Sequence, residues 1–190
     1  MPSNRAVLLV MDVQQGIVQR FAVGPQALQP FRRAVDAARA AHVPVLFVRV
    51  AFRSGYPEVS PRNKSFSALS ARGGLGRDDA STQIHPSVAP NSDEIVITKL
   101  RVSAFAGSDL EVVLRAEQID TLVLAGIATS GVVLSTVREA ADKDYRLVVL
   151  SDACLDADPE VHRVLTEKVF PRQADVMTVD AWTESLREQA

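Results

Sequence analysis

Two charged residues and one glycine-rich turn follow apolar segments that have the composition of buried strands. Asp12 ends the run that begins at Ala6, Lys99 ends the run that begins at Glu94, and the segment 126–133, GIATSGVV, follows the run from Thr121 to Ala125. In parallel α/β sheets the carboxyl ends of the strands are where ligands bind. A carboxylate near an ammonium has a controlled pKa, which suits proton transfer. This layout predicts an enzyme.

Each of these residues also has a simpler interpretation. A carboxylate at a strand end can cap a nearby loop or helix, and a lone lysine is more often a solvated surface residue. Sequence spacing alone does not establish that Asp12 and Lys99 meet. The 126–133 turn is more informative, because its small residues allow backbone N–H groups to approach a ligand at a helix N-terminus. Such a place stabilises a thiolate or an oxyanion.

The elements that would position these residues alternate between short apolar runs and longer segments of helical period, which predicts an α/β fold. Apolar stripes of helical spacing occur at Leu28, Phe31, Val35 and Ala38, and again at Val133, Val137, Ala140 and Ala141. Helix starts are predicted at Ser108 to Glu111, at Asp158-Pro159 and at Asp180. The six predicted strands are Ala6 to Asp12, Val43 to Val50, Glu94 to Thr98, Thr121 to Ala125, Leu147 to Leu150 and Val176 to Val179.

The connection from Ala51 to Pro90 is the exception to this alternation. It contains four prolines and four glycines and has little periodicity. Long connections of this kind are usually functional or mobile. Because it follows the second strand, we expect it to lie over the carboxyl edge of the sheet and to shape a pocket.

Composition restricts the function classes. The chain has 190 residues, a formal net charge of −2 and one cysteine. This length fits a single domain, 1–190, and the mixed charges give no basic footprint for nucleic acid or an anionic membrane. No stretch approaches the roughly 20 apolar residues of a membrane span, and the first residues lack a signal-peptide pattern. One cysteine excludes an internal disulfide framework and fits the cytoplasm.

Three segments, VLLVMDVQQ, ITKLRVSAF and GIATSGVVLSTVREA, resemble the isochorismatase-like hydrolase superfamily, which includes isochorismatases, nicotinamidases and carbamoylsarcosine amidases. The resemblance runs from Ala6 to about Val179. It implies a three-layer α/β/α doubly wound fold with a six-stranded, mostly parallel sheet. Asp12 and Lys99 match the acid/base Asp of the family and its partner Lys. The turn matches one that carries a cis peptide in relatives, so we expect a cis bond between Ile127 and Ala128.

Val132 stands where most amidase branches of the superfamily have the nucleophilic cysteine. A valine side chain has no lone pair and cannot attack a carbonyl, so the thioester route is closed. The resemblance still implies an oxyanion or substrate site formed by Ala128, Val132, Thr129, Gln14 and Arg53. Ser130 lies two residues early for a substitute nucleophile, and Cys154 has the sequence context of a small buried residue.

No cofactor is expected, and no metal. His42 and His85 lack a paired ligand at short spacing, and the nicotinamidase Asp-x-His pattern is replaced by Arg49 to Arg53, RVAFR. No dinucleotide or nucleotide fingerprint is present. Arg53, Arg62, Lys64 and Arg72 in the long connection could together receive a carboxylate.

The favoured hypothesis is a hydrolase that acts on a small, carboxylated molecule by Asp/Lys acid-base catalysis. Hydrolysis of an enol ether needs an acid and water but no covalent enzyme intermediate. The alternatives are an amidase that activates water with Asp12, and an inactive binding protein of the same fold. The expected partners are a small-molecule substrate and further copies of the chain, in a homodimer or a higher homo-oligomer.

Overall fold

The fold is built on one parallel sheet. The computed structural model describes residues 5–21 and 24–188. Its strands are β1 (Ala6–Met11), β2 (Val45–Val50), β3 (Ile95–Lys99), β4 (Thr121–Ile127), β5 (Arg146–Leu155) and β6 (Asp175–Met177). They lie in the order β3-β2-β1-β4-β5-β6, and every neighbouring pair is parallel. The predicted α/β sheet is confirmed, with parallel pairing throughout these strands.

Helices cover both faces of the sheet, because each strand is nearly continuous in apolar residues and must be buried on both sides. The helices are α1 (Gln15–Arg20), α2 (Gln29–Ala40), α3 (Lys64–Ser70), α4 (Leu110–Ala116), α5 (Leu134–Asp142), α6 (Pro159–Val164) and α7 (Val179–Glu188). One apolar cluster packs α4 and α5 against the sheet, and a second packs α2 and α7 against the opposite face. Both predicted apolar stripes lie in these clusters.

The strand order places a switch point beside β1. The chain proceeds outward from β1 to β2 and β3, then returns to add β4, β5 and β6 on the other side. In open α/β sheets a crevice forms outside the carboxyl ends of the strands at such a point. Asp12 follows β1 and the 126–133 turn overlaps the end of β4, so both predicted features adjoin this crevice.

The predicted helix starts have mixed outcomes. Asp158 caps α6 as predicted, since its side chain accepts hydrogen bonds from the N–H groups of Glu160 and Val161. The predicted capping box at Ser108 is wrong, because α4 begins at Leu110 and the Ser108 hydroxyl donates to the carbonyl of Ala104. Asp180 is not a cap either. It lies inside the first turn of α7, and Thr178 Oγ1 accepts from the N–H of Ala181 instead.

The long connection between β2 and β3 has structure of its own. It contains α3, which the sequence analysis did not predict, and its residues Phe52 and Phe66 form a small apolar cluster with Val50 of β2. The rings of Phe52 and Phe66 meet edge to face, with centroids 5.4 Å apart. Leu100, the residue after Lys99, packs against the same cluster. The connection therefore covers the carboxyl end of β3, as expected.

Candidate active site

The carboxylate of Asp12 and the ammonium of Lys99 form a buried ion pair. Lys99 Nζ lies 2.9 Å from Asp12 Oδ2. Lys99 is 1% exposed and Asp12 is 5% exposed. Lys99 Nζ also donates to the carbonyl oxygens of Arg101, at 2.9 Å, and Val102, at 3.0 Å. Three oxygen acceptors match the three N–H donors of a lysine ammonium.

The sheet explains how residues 87 positions apart in sequence meet. Lys99 ends β3, where it is paired in register with Val50 of β2, and the N–H of Asp12 donates to the carbonyl of Val48 on β2. Neighbouring strands are about 4.8 Å apart, so the pair must bridge roughly 10 Å across β2. The long lysine stem covers most of that distance. Asp12 has a φ of 58°, a left-handed conformation in which Asp is enriched among non-glycine residues.

The environment of Asp12 favours its protonated form. Burial raises the pKa of the Asp12 carboxyl above its ordinary value, and the Lys99 ammonium opposes that rise only in part. Among the residues the structure describes, Asp12 Oδ1 is the one buried side-chain oxygen or nitrogen without a hydrogen-bond partner. An unpaired buried carboxyl oxygen is costly and is a mark of a site that receives a ligand or a proton.

The turn after β4 approaches β1 very closely. A Cβ atom on Gly126 would lie 2.8 Å from the carbonyl oxygen of Met11, closer than real Cβ contacts, so any other residue would require the backbone to shift. The Ile127–Ala128 peptide bond is cis. Ala128 is extended, and the chain then forms a π-helical turn, Thr129–Val133, which continues into α5. Turns of this type occur frequently at functional sites.

Val132 is 2% exposed and belongs to the apolar cluster beneath α4 and α5. Its side chain packs in the core, in agreement with the interpretation that it is not a nucleophile. Ser130 is exposed, and its backbone N–H is held by Asp156, with Oδ2 at 2.7 Å. Thr129 is fully buried, and its Oγ1 lies 2.8 Å from His162 Nδ1 on α6.

Gln14 has a clear structural role. Its side-chain amide donates to the carbonyls of Val50 and Thr82 and accepts from the N–H of Val50. Both Nε2 hydrogens are therefore used to join the start of α1 to β2 and the long connection. Contact between Gln14 and substrate remains a prediction.

Arg53 points to a carboxylate of its own loop. Arg53 Nη1 lies 2.6 Å from Glu58 Oε1, and the arginine side chain is 60% exposed. Arg62, Lys64 and Arg72 are exposed as well. Arg101, in contrast, is half-buried next to Lys99, and its guanidinium donates to the carbonyls of Leu100 and Glu58. It has no carboxylate partner within the described residues.

Cys154 lies outside this chemistry. It is buried at the end of β5, and burial raises the pKa of its thiol to about 12. Within residues 5–21 and 24–188, no three His, Cys, Asp or Glu side chains are grouped to hold a metal ion. None of the helices in the same ranges is long and apolar enough to cross a membrane.

Three residues near the site were not found from sequence. Asp156 follows β5 just as Asp12 follows β1, but the predicted strand ended at Leu150, so Asp156 was not recognised as a strand-end residue. Arg101 lies two residues after Lys99 and could have been found by its spacing. His162 gave no signal, because its contact with Thr129 joins segments 33 residues apart on different elements.

Comparison with known proteins gives one consistent family. The family model described as the isochorismatase domain matches residues 6–181. The isochorismatase family protein YecD of Escherichia coli O157:H7 is 37% identical over 183 residues, covering 94% of each chain. The ureidoacrylate amidohydrolase RutB of Stutzerimonas stutzeri (strain A1501) is 32% identical over 211 residues, covering 98% of this chain and 82% of that one.

A solved structure supports the same fold. The cysteine hydrolase from Pseudomonas syringae pv. phaseolicola 1448A superimposes with a TM-score of 0.86, covering 100% of this chain and 97% of that chain at 24% sequence identity. The sheet order and the buried Asp12–Lys99 pair are thus found in a chain whose relatives are hydrolases. The chain belongs to the isochorismatase family and is an isochorismatase-like hydrolase.

Proposed function

We propose that this hydrolase cleaves a small, carboxylated enol ether by acid catalysis from Asp12, without a covalent enzyme intermediate. One observation carries the proposal: a buried carboxyl, held by Lys99 through Oδ2, has its second oxygen unpaired and its pKa raised. A raised pKa extends the pH range over which the carboxyl keeps its proton, and a protonated carboxyl is what protonation of an alkene carbon requires.

The reaction balances with Asp12 and one water. The Asp12 proton is transferred to the terminal alkene carbon of the enol ether, which leaves an oxocarbenium ion and an Asp12 carboxylate. Water adds to the cationic carbon and returns a proton to Asp12. The resulting hemiketal then breaks its C–O bond to give an alcohol and a 2-oxo acid. Val132 takes no part, because no step requires a nucleophilic side chain.

Lys99 stabilises the carboxylate form of Asp12 during this cycle. Its ammonium is fixed by the carbonyls of Arg101 and Val102, so it needs no reorganisation when negative charge develops on Asp12. The pair thus balances two demands, since burial favours the acid before proton transfer and Lys99 favours the carboxylate afterwards.

Two further groups are proposed to hold the substrate. The backbone N–H groups of Ala128 and Val132, beside Thr129, form the oxyanion or anion site that the family resemblance implies. For the substrate carboxylate, Arg101 is a better candidate than Arg53, because the Arg53 charge is already balanced by Glu58. The two terminal nitrogens of Arg101 each donate one hydrogen bond to a backbone carbonyl and each keep one further N–H that can bind a substrate carboxylate.

A second candidate is an amidase that uses Asp12 as a base to activate water. The similarity to RutB, whose name describes an amidohydrolase, favours it. The two candidates use opposite protonation states of the same carboxyl, since the amidase needs the carboxylate at the start of the reaction.

A substrate screen tests the proposal. The purified protein is offered a carboxylated enol ether, a linear carbamoyl compound and nicotinamide, and product formation is followed by mass spectrometry. Turnover of the enol ether alone supports the proposal, whereas turnover of a carbamoyl compound or nicotinamide supports the amidase. Binding of any of them without turnover would contradict both and indicate a binding protein.

Asp12→Asn and Asp36→Asn form a matched pair for this screen. Asp12→Asn removes the transferable proton and should reduce turnover by about a hundredfold or more. Asp36 is on the exposed side of α2, so Asp36→Asn should retain wild-type turnover. Equal activities of the two variants would show that Asp12 is not the acid.

A further inference from the structure

An unusual concentration of exposed apolar side chains lies around the edge strand β3. Among the described residues, five large apolar side chains are exposed, and four of them fall between residues 95 and 112: Ile95, Val96, Val102 and Val112. Val112, on the outer side of α4, is 71% exposed. We call these four side chains the β3–α4 face. Exposed apolar patches of this kind mark interaction sites.

The backbone of β3 adds to this surface. Among the described strands, β3 lies at one edge of the sheet and pairs with β2 alone. Edge strands are normally protected by charges, proline or a covering segment. Here the strand reads Ile95, Val96, Ile97, Thr98 and Lys99, and Lys99 is turned inward to Asp12.

The charges at the two ends of this face have opposite sign. At the amino end of β3, a groove of about 450 Å³ is bordered by Asp93 and Glu117, neither of which has an ion-pair partner within the described residues. Glu94 in the same groove is paired with Arg39, at 2.6 Å. The groove therefore carries an excess of negative charge.

At the carboxyl end of β3, a cleft of about 590 Å³ is bordered by Val96, Val112, Arg49 and Arg77. Arg49 donates to Thr98, Gln83 and the carbonyl of Arg77, and neither arginine lies within 4.0 Å of a carboxylate of the described chain. Asp109 borders the same cleft and balances one of the two positive charges. This end keeps an excess of positive charge.

We propose that the β3–α4 face binds a second copy of this chain about a two-fold axis, with the two β3 strands antiparallel. A two-fold interface must be complementary to itself. Antiparallel placement satisfies this condition, because the acidic end of each copy meets the basic end of the other while Val96 and Val112 pack near the axis. The inference is independent of the reaction that the site catalyses.

The contact would also reach the active site. Val102, one of the four exposed side chains, provides a carbonyl that holds Lys99 Nζ, and the loop from Arg101 to Asp109 connects β3 to α4. A second copy on this face would therefore fix the loop that positions Lys99.

Sedimentation velocity of two matched variants tests the apolar centre of the face. Val112→Arg should weaken dimer formation by about tenfold or more, as charges do at the centre of an interface. Val161→Arg is the control, because Val161 is the remaining exposed apolar residue among those described, 37% exposed, and lies on α6 outside the face. It should dimerise like the wild type. A monomeric wild type, or a dimer equally tolerant of both variants, would overturn the proposal.

Charge reversal tests the orientation. Arg77→Glu and Glu117→Arg should each weaken self-association, because each places like charges at both ends of the symmetric interface. An equimolar mixture of the two variants should associate again. In the mixed dimer the two substituted positions face each other with opposite charges at one end, and the native Arg77 and Glu117 face each other at the other end.

A mixture that remains monomeric while the wild type dimerises would exclude the antiparallel arrangement. Both substitutions are at exposed positions, and circular dichroism checks that the variants are folded.

Discussion

The two chemical hypotheses differ in the protonation state that they require of the Asp12 carboxyl, whose oxygen Oδ1 has no hydrogen-bond partner. The oxygen is buried and unpaired, and the Asp12 carboxyl has a raised pKa because desolvation outweighs the attraction of Lys99. An enol-ether hydrolase needs this carboxyl protonated, whereas a water-activating amidase needs it ionised. The catalytic rate would therefore change with pH in opposite directions under the two hypotheses.

The pH dependence of kcat/KM gives the first prediction. Because the pKa of Asp12 is raised above 3.8, its protonated form persists to higher pH than that of an ordinary aspartate. If Asp12 is the acid, kcat/KM should be highest below this pKa and should fall tenfold for each pH unit above it. A rate that rises through the same range would identify Asp12 as a base and favour the amidase.

Thiol reactivity gives the second prediction. Burial raises the pKa of Cys154 to about 12, so at pH 8 only about one molecule in ten thousand carries the reactive thiolate. Iodoacetamide should leave Cys154 unlabelled and turnover intact. Labelling of Cys154 that abolishes turnover would contradict a mechanism without cysteine.

A cysteine introduced at the turn provides the comparison. Val132→Cys places a thiol in a position that is as buried as Cys154, 2% exposed in each case, but at the start of the helix that continues into α5, where the helix N-terminus favours the thiolate. Mass spectrometry after brief alkylation should show faster labelling at position 132 than at Cys154. Equal resistance of both thiols would show that the turn does not activate a sulfur atom.

At the level of elements, the contact between β4 and β1 depends on Gly126. A Cβ at this position would meet the Met11 carbonyl at 2.8 Å, whereas a Cβ on Gly131, in the same turn, would have its nearest neighbour at an ordinary 3.7 Å. Gly126→Ala should lower the free energy of unfolding by about 1–3 kcal/mol, because the backbone must shift to accept the methyl group. Gly131→Ala should change it by less than about 1 kcal/mol. Urea unfolding of both variants measures the difference, and equal values would refute the close approach.

The strands were predictable from sequence because strands buried on both faces are continuous apolar runs. The positions of the strand ends were predicted less accurately. β5 extends to Leu155, five residues past the predicted end at Leu150, through a register shift between Leu124 and Gly126 of its neighbour β4. α3 was missed because KSFSALS buries only Phe66 and therefore has no apolar stripe.

The site was predictable to the extent that it lies at strand ends. Asp12 and Lys99 were identified by that rule, and the family resemblance implied their contact. The side-chain partners could not be predicted, because the contacts of Thr129 with His162 and of Gln14 with Thr82 join segments that are far apart in sequence, and no periodic pattern links them. The hydrogen bonds from Gln14 to backbone atoms, in particular, cannot be recognised from composition or residue spacing.

At the level of the whole molecule, the segments around the candidate active site are held by very different amounts of buried apolar surface. Two large apolar clusters hold the sheet and its helices, whereas only Val50, Phe52 and Phe66 are buried in the cluster that holds the long connection. Asp12 and Lys99 are almost completely covered, so a substrate must displace part of this cover to reach them. Segments with few buried contacts open locally, without global unfolding.

Limited trypsin digestion tests whether the long connection is that cover. It contains five exposed trypsin sites, so the first internal cleavage should fall between residues 53 and 77. These sites are Arg53, Arg62, Lys64, Arg72 and Arg77.

Arg101→Met should accelerate this cleavage, because it removes the hydrogen bond from Arg101 to the carbonyl of Glu58 at 2.9 Å. Arg115→Met is the control, since Arg115 pairs with Glu111 on the surface of α4. A saturating substrate should protect the segment. Initial cleavage within the helices of the sheet layers, or equal rates for the two variants, would place the opening elsewhere in the molecule.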